Sequence, residues 1–265
     1  MAEEQHAILT TEADGIATIT INRPTAGNAL RTVDRDALIA ALSHAHRVAD
    51  IRAVVIRSEG KHFCAGADVS GIGGTDDPVV GDITRRIMGG AQQLIAAILD
   101  CDKPVVSVVQ GAAAGMGAHI AYASDFVVAS SQATFIESFI LRGLTVDAGG
   151  AYLLPRLIGM QKAKELALLG EKLGASEAHA LGLVNRVVEP SNLDAAASEL
   201  AERIASGPTT AIALTKRLFN ASLDGDRAAS FLAEGLVQEL QSHSADTHEG
   251  LQSFIERRPA AFRGR

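Results

Sequence analysis

A run of valines, a glycine-rich turn and a second apolar run follow one another in the middle of the chain. KPVVSVV (residues 103–109) leads into QGAAAGMGAHIAYASD (110–125), and DFVVAS (125–130) comes next. Short β-branched runs are typical of buried strands, and a longer apolar stretch opening on glycine is typical of a buried helix. This order predicts a strand–turn–helix–strand unit. Because the N–H groups at a helix N-terminus are unpaired, such a turn is suited to bind negative charge.

The same alternation precedes this unit. GIATITINR (15–23) and RAVVIRS (52–58) read as strands, and MGGAQQLIAAILD (88–100) reads as a helix. Between the first two strands, Thr32 is predicted to cap a helix. The apolar positions expected on one face of that helix are Val33, Ala37, Leu38, Ala41, Leu42 and Ala45. Strands alternating with helices predict the α/β class with a layered sheet.

After Val188 the strand signals stop. Helices are predicted over residues 192–206, 209–221, 227–243 and 246–256. We therefore divide the chain near residue 200, into an α/β core (1–200) and a helical C-terminal region (201–265). Helices with little sheet to cover pack on their own core or on a neighbouring subunit, so we expect an oligomer.

Composition excludes several classes of protein. The net charge is −7 and no lysine–arginine stripe is present, which argues against nucleic acid as a partner. The longest apolar tract is interrupted by Gln110, His119 and Asp125, so no membrane span is predicted. Cys64 and Cys101 lie in different segments, as expected for free thiols in a reducing compartment. Because no signal peptide precedes the first strand, we expect a soluble cytoplasmic protein.

Nucleotide and metal motifs are absent from the sequence. The glycines at 111, 115 and 117 do not fit G-x-G-x-x-G, no P-loop occurs, and the histidines lack metal-ligand spacing. Two glycine-containing turns remain, HFCAGADVSG (62–71) and QGAAAGMGAHIA (110–121). Each could present a backbone N–H at a helix start, and two converging N–H groups would form an oxyanion hole. Taken alone, either turn is better read as a tight turn that uses glycine for backbone freedom.

Together, and in this order, these turns resemble the crotonase family, also called the enoyl-CoA hydratase/isomerase family. The resemblance continues in INRPTAGNAL (21–30), GLTVDAGGAYLLPRLIG (143–159), ASEAHALGLVNRVV (175–188) and EGLQSFIERRPAAFRGR (249–265). It implies a spiral of ββα units with a helical C-terminal trimerisation region, and a homotrimer or a dimer of trimers. The implied substrate is an acyl-CoA thioester, with coenzyme A as part of the substrate and no separate cofactor.

The resemblance also assigns residues. It places the two oxyanion donors on the N–H groups of Ala67 and Met116; at the second position the family usually has glycine. Family-like positions for coenzyme A are Arg23, Ala26, Ala65, Asp68 and Val69. Phe254 and Arg257, spaced three apart on one predicted helix face, resemble residues that a neighbouring subunit lends to coenzyme A. For Arg257, a solvated helix charge is an equally good interpretation.

The chain departs from the hydratase pattern at both catalytic glutamates. Hydratases of the family use one glutamate in the helix after the second glycine turn, where this chain has His119. The second follows a short strand, where TFIESF places Phe139. Glu137 is two residues away, and alternation along a strand would put it on the same face. These departures place simple hydration in doubt.

Asp147, in GLTVDAGG, offers another carboxylate. Family branches with an acid at this position include double-bond isomerases, dienoyl-CoA isomerases, a naphthoyl-CoA synthase and an aryl-CoA dehalogenase. The dehalogenase also needs a histidine in the helix over residues 88–100, which has none. The alternative interpretation of Asp147 is an N-cap of the following helix. An apolar pocket lined by Met116, Phe139 and Leu144 would raise its pKa and suit it to proton transfer.

His119 has three interpretations: a hydrogen-bonded core histidine, a replacement acid/base, or a ligand for a polar group on the acyl chain. The structural role ranks slightly first. Because a helix N-terminus disfavours the imidazolium, a neutral ring is expected.

Three functions follow from these residues. The leading hypothesis is a double-bond isomerase in which Asp147 shuttles a proton and His119 orients the substrate. The second is a hydratase or lyase that uses His119, Asp147 or Glu137 in place of the glutamate pair. The third is an acyl-CoA-binding protein with little catalysis. Acyl chain length depends on the loop over residues 71–89, which is rich in glycine and aspartate and is expected to be mobile.

Overall fold

In a computed structural model of the protein, which describes residues 7–70 and 79–264, nine strands form two sheets. The strands are β1 (Ile8–Ala13), β2 (Ile16–Ile21), β3 (Ala53–Ser58), β4 (Val105–Val109), β5 (Ala112–Ala114), β6 (Phe126–Ser130), β7 (Thr134–Ile136), β8 (Lys172–Gly174) and β9 (Arg186–Val188). The larger sheet has the order β1-β2-β3-β4-β6-β9, and only its β1–β2 pair is antiparallel. The smaller sheet has the order β5-β7-β8, with β5 parallel to β7. The predicted α/β class is confirmed.

Helices connect and cover these strands. They are α1 (Thr32–Arg47), α2 (Asp82–Arg86), α3 (Gln92–Leu99), α4 (Met116–Ala123), α5 (Gly150–Ile158), α6 (Met160–Leu169), α7 (Ala175–Ala180), α8 (Leu193–Ala205), α9 (Thr209–Ser222), α10 (Arg227–Ser242) and α11 (Ala245–Glu256). A π-helical turn, Ile87–Ala91, joins α2 to α3. Single 3-10 turns occupy Pro24–Ala26, Ile140–Arg142 and Pro190–Asn192. Of the glycine-rich loop over residues 71–89, residues 71–78 lie outside the described residues, and most of the remainder is helical.

The central strands β3 and β4 of the larger sheet are buried on both faces, to which their successive side chains point in turn. On β3, Val54 and Ile56 join the main core, whereas Ala53 and Val55 pack with α8 on the other face. All of β4 is buried. This arrangement explains the near-continuous apolar runs that predicted the strands, since parallel strands covered on both faces lack polar alternation.

The face of α1 differs from the prediction. Leu38, Leu42 and Ala45 are buried as expected, but Val33 and Ala37 are exposed. In their place the helix buries Asp34, which accepts the backbone N–H of Arg31 at 2.9 Å. Thr32 is the first helical residue and not the cap: the N-cap is Arg31, whose backbone N–H is the one that Asp34 accepts.

The C-terminal helices match the predicted ranges within one or two residues. Helix α8 crosses residue 200 and packs its buried face, including Leu200 and Ile204, on the sheet. It therefore covers the core, and α9 is the first helix after it. The division into a core and an oligomerisation region remains a prediction.

Candidate active site

The two glycine turns lie side by side and run in the same direction. Cys64 and Ala113 form a parallel bridge, in which Cys64 accepts the N–H of Ala114 at 2.9 Å. Ala67 follows Cys64 by three residues, and Met116 follows Ala113 by three residues. Because the two segments are parallel and in register, both turns emerge at the same end of the bridge.

Glycine is required where the turns touch. Gly66 has φ +97°, and a Cβ added there would lie 2.8 Å from the carbonyl oxygen of Ala114 and 3.6 Å from the amide nitrogen of Met116. A Cβ on Gly117 would lie 2.3 Å from the carbonyl oxygen of Cys64. Such distances exclude a side chain at either position, so the glycines allow the two backbones to approach closely.

Within the described residues, the two candidate oxyanion donors have no competing acceptor. Met116 is the first residue of α4, where backbone N–H groups lack a partner within the helix. Among the hydrogen bonds of the described residues, none is donated by the N–H of Ala67 or of Met116. Two N–H groups on adjoining turns that are unpaired in the described part of the chain, one of them at a helix N-terminus, suit a developing oxyanion.

His119, one helical turn beyond Met116, is fully buried and paired. Its Nε2 lies 3.0 Å from Oε2 of Glu137, which is itself buried immediately after β7. Phe139 stacks on the ring, with the centroids 5.5 Å apart and the planes at 17°. The structural interpretation of His119 as a hydrogen-bonded core residue is thus what the geometry shows. The sequence did not reveal its partner, although the alternation that puts Glu137 and Phe139 on one face was a usable signal.

Asp147 lies half-buried in the loop before α5. The N-cap of α5 is Gly149, and no side chain caps this helix, so the alternative interpretation of Asp147 as a cap is wrong. Instead the main-chain carbonyl of Asp147 accepts the N–H of Gly150 at 3.0 Å. Burial raises the pKa of the Asp147 carboxyl, and the charge of His119 opposes part of that rise.

The five predicted coenzyme A positions on the first turns lie together. The guanidinium of Arg23 is 3.1 Å from Oδ2 of Asp68. Hydrogen bonds from Ser70, together with Arg23, lower the pKa of Asp68 to about 2. The N–H of Ala65 donates to the carbonyl of Gly27, which brings the turn at Pro24–Ala26 beside this segment. The remaining members of the set are exposed: Ala26, Ala65 and Val69.

The two predicted positions in the tail are arranged differently from the expectation. Phe254 lies on α11 and is 82% exposed. Arg257 is not on the helix face, because α11 ends at Glu256 and Arg257 has the left-handed φ of 56°. Both are open to contact with another molecule.

No group of three or more His, Cys, Asp or Glu side chains in the described part of the chain could hold a metal ion. None of the described helices is both long and apolar enough to span a membrane.

Comparison with known proteins identifies relatives over nearly the whole chain. The sequence profile of the family "Enoyl-CoA hydratase/isomerase" matches residues 11–265. A Rhodobacter capsulatus protein named "Probable enoyl-CoA hydratase" is 38% identical over 98% of this chain and 99% of its own length. The Escherichia coli "1,2-epoxyphenylacetyl-CoA isomerase" is 33% identical over 97% of this chain and 98% of its own.

The fold of the chain also matches solved structures over its whole length. A crystal structure of a Streptomyces coelicolor protein superposes with a TM-score of 0.93 at 36% identity, over 100% of this chain and 97% of the other. The crotonase-like fold expected from the sequence is therefore confirmed.

Proposed function

This chain belongs to the enoyl-CoA hydratase/isomerase family, and we propose that it moves a carbon–carbon double bond in an acyl-CoA thioester by proton transfer through Asp147. The membership covers nearly the whole chain. The reaction within the family is the part that we propose.

The thioester carbonyl oxygen would lie between the N–H groups of Ala67 and Met116. When a proton leaves the α carbon, negative charge moves onto this oxygen, and two fixed donors stabilise the enolate more than the ground state. Removing one such donor typically costs ~2.7–4 kcal/mol of transition-state stabilisation. The N-terminus of α4 adds partial positive charge at the same place.

One observation carries the choice of Asp147: it is the partly exposed acid beside His119, whereas Glu137 is buried against the ring. With a 3-enoyl-CoA substrate, the Asp147 carboxylate would take a proton from C2. The resulting dienolate would take that proton back at C4, which gives the conjugated 2-enoyl-CoA. A carboxyl whose pKa is raised by burial is better matched to both steps than a solvated one.

Hydration is the second candidate, because the Rhodobacter capsulatus relative is named as a hydratase. A Streptococcus mutans relative, 32% identical over 95% of this chain, is named "Trans-2-decenoyl-[acyl-carrier-protein] isomerase", which favours the first candidate. Hydration would require an acid and a base to act on water. In this site Asp147 and the His119–Glu137 pair would have to supply both.

Substrate binding follows from the same membership. We propose that Arg23, Ala26, Ala65, Asp68 and Val69 border coenzyme A. Phe254 and Arg257 would reach the coenzyme A of a neighbouring subunit in a homotrimer or a dimer of trimers. The exposure of both tail residues supports this proposal.

A paired ultraviolet assay distinguishes the candidates. Purified protein is given 3-enoyl-CoA and, separately, 2-enoyl-CoA, and the absorbance of the conjugated thioester is followed. We expect a rise with 3-enoyl-CoA that Asp147→Asn abolishes. The matched control is Asp194→Asn, which changes an exposed acid on α8 paired with Arg57.

Other outcomes of the assay would contradict the proposal. A fall with 2-enoyl-CoA and no rise with 3-enoyl-CoA would establish hydration. Tight acyl-CoA binding without turnover of either substrate would support the binding-protein hypothesis.

A further inference from the structure

Helix α11 has no buried apolar side chain within its own chain. Of its twelve residues only Asp246 and Ser253 are buried, and both are polar. Because a surface helix is normally held on its domain by an apolar face, the position of α11 in one chain depends on polar contacts. These contacts are made by the segment that follows the helix, residues 258–264, which we call the tail segment.

The tail segment runs back along α11 and is held by two carboxylates. The backbone N–H groups of Arg263 and Gly264 donate to Oδ1 and Oδ2 of Asp246, both at 2.7 Å. The N–H of Ala261 donates to Oε1 of Glu249 at 2.8 Å. Asp246 and Glu249 are three residues apart, so they lie on the same side of the helix. Since Asp246 is in the first turn of α11, the helix N-terminus also stabilises its charge.

The other side of the tail segment is attached to the core. Arg52, directly before β3, has both terminal nitrogens 3.4 Å from the carbonyl oxygen of Phe262. The hydroxyl of Thr210 on α9 donates to the carbonyl of Gly264 at 3.0 Å. The ring of Phe262 lies over α11, because a Cβ added to Gly250 would be 3.4 Å from it. The tail segment therefore connects α11 with β3 and α9.

The turn between α11 and the tail segment has a conformation that a side chain disfavours. Arg257 ends the helix with a φ of 56°, in the left-handed region where helix ends usually have glycine. The next residue, Arg258, forms a bidentate pair with Glu249, at 2.6 Å to Oε1 and 2.9 Å to Oε2. Together with the Asp246 carboxylate, this pair holds the chain in the direction that the turn at Arg257 requires.

This turn determines where Arg257 is presented. Phe254 and Arg257 are the two positions proposed above to reach the coenzyme A of a neighbouring subunit, and both are exposed. A guanidinium suits phosphate groups, and an aromatic ring suits the face of a base. The nucleotide end of coenzyme A carries both groups, so it is the part of the substrate that these side chains fit.

We infer that Asp246 and Glu249 are positioning residues for coenzyme A: their carboxylates hold the tail segment on α11 and so fix the turn that presents Arg257 to the nucleotide end. This inference rests on the proposed function, in which Phe254 and Arg257 reach the coenzyme A of a neighbouring subunit. Both carboxylates act through Arg257 and do not bind the substrate.

The test compares Asp246→Asn with Arg257→Ala. The amide keeps the size of the side chain but offers one acceptor oxygen for two N–H groups, so the tail segment should detach from α11. In calorimetric titrations, the Kd of coenzyme A should rise about tenfold in each variant, as expected when a hydrogen bond to a charged group is lost. The matched control is Asp194→Asn, an exposed acid in the first turn of α8, and its Kd should be that of the wild type.

The double variant distinguishes positioning from two independent effects. If Asp246 acts through Arg257, adding Asp246→Asn to Arg257→Ala should change the Kd of coenzyme A little further. A Kd raised by the product of the two single factors overturns the inference. A wild-type Kd in folded Asp246→Asn overturns it as well.

A truncated substrate gives a readout that a merely structural role would not produce. A 3-enoyl-pantetheine keeps the thioester and lacks the nucleotide end. Asp246→Asn should raise KM for 3-enoyl-CoA about tenfold with kcat unchanged, and should leave kcat/KM for 3-enoyl-pantetheine at the wild-type value. Equal losses with the two substrates overturn the inference.

A second variant covers the case in which Asp246→Asn does not fold. Glu249→Gln keeps an acceptor for the N–H of Ala261 but loses the bidentate pair with Arg258. The Kd of coenzyme A should again rise, and a wild-type Kd overturns the inference. The matched control is Glu239→Gln on α10, an exposed acid. If sedimentation shows that both variants lose the oligomer, the carboxylates serve assembly and the inference is likewise overturned.

Failure of the proposed reaction is seen separately. An isomerase rate that is absent, or unaffected by Asp147→Asn, contradicts the reaction and leaves the Kd of coenzyme A as measured. A wild-type Kd in Arg257→Ala contradicts the proposed contact of the tail with coenzyme A, and with it the positioning role.

Discussion

Gly150 decides how closely the Asp147 loop approaches the His119 ring. A single methyl group at this position would lie 2.4 Å from two ring atoms and 2.7 Å from Cγ1 of Val146. The ring cannot move away, because Glu137 and Phe139 hold it. The sequence alone predicts two motifs that contain His119 and Asp147. It does not predict the contact between them, which depends on how the two segments pack.

Gly150→Ala is therefore expected to destabilise the protein and to lower the isomerase rate. Overpacking a well-filled site costs about 1–3 kcal/mol of unfolding free energy, which urea unfolding measures. The control is Gly235→Ala in the interior of α10, where no atom lies within 4 Å of the added methyl group. That change should stabilise the helix by about 1 kcal/mol. Wild-type stability and rate in Gly150→Ala would show that the contact is not close.

At the level of elements, a buried cation on helix α9, Lys216, contacts the core. Nζ of Lys216 lies 2.7 Å from Oδ2 of Asp125, which follows α4, and 3.0 Å from the carbonyl oxygen of Ile98 on α3. Burial raises the pKa of Asp125, and Lys216 opposes that rise. This pair joins the first helix of the C-terminal region to the two helices next to the site.

Lys216→Met should cost about 3 kcal/mol of unfolding free energy, because it leaves Asp125 without its counter-charge. Chemical denaturation at pH 7 measures the loss. Adding Asp125→Asn to the same protein should recover part of it, since the amide carries no charge and can still accept the N–H of Val105. If the double variant loses as much unfolding free energy as the two single variants lose together, the pairing of Lys216 with Asp125 is contradicted.

The elements show what could and could not be predicted from the sequence. Strands such as β4 and helices such as α10 follow from runs and periodicity, which are local. The buried face of α1 does not follow from periodicity. Asp34 is buried in contact with Arg31 and Arg23, and Arg23 comes from a different segment. Likewise, the burial of Glu137 depends on His119, eighteen residues earlier. Polar contacts between distant segments leave no periodic signal.

At the level of the whole molecule, the C-terminal helices expose large apolar side chains on a single chain. They include Phe219 on α9, Leu223 directly after it, Phe231, Leu232, Leu236 and Leu240 on α10, and Leu251, Phe254 and Ile255 on α11. Exposed apolar residues grouped in this way are typical of a protein–protein interface. This grouping supports the proposed homo-oligomer.

Sedimentation at micromolar concentration should therefore give three or six times the chain mass of 27.6 kDa. Leu236→Asp should shift the distribution toward the monomer, because it buries an unpaired charge in the interface. The control is Leu168→Asp on α6, which is also exposed but lies outside the C-terminal helices. A wild-type monomer under these conditions would contradict the oligomer.

The most direct test of the central claim is hydrogen exchange at the substrate. A 3-enoyl-CoA is incubated in D₂O with wild-type protein or with Asp147→Asn, and mass spectrometry follows deuterium at C2 and C4. If Asp147 carries the proton and the oxyanion donors stabilise the enolate, wild-type protein exchanges both positions, and Asp147→Asn slows exchange by about 10²–10⁴-fold without loss of acyl-CoA binding. Exchange at the wild-type rate in folded Asp147→Asn would contradict the claim that Asp147 is the base.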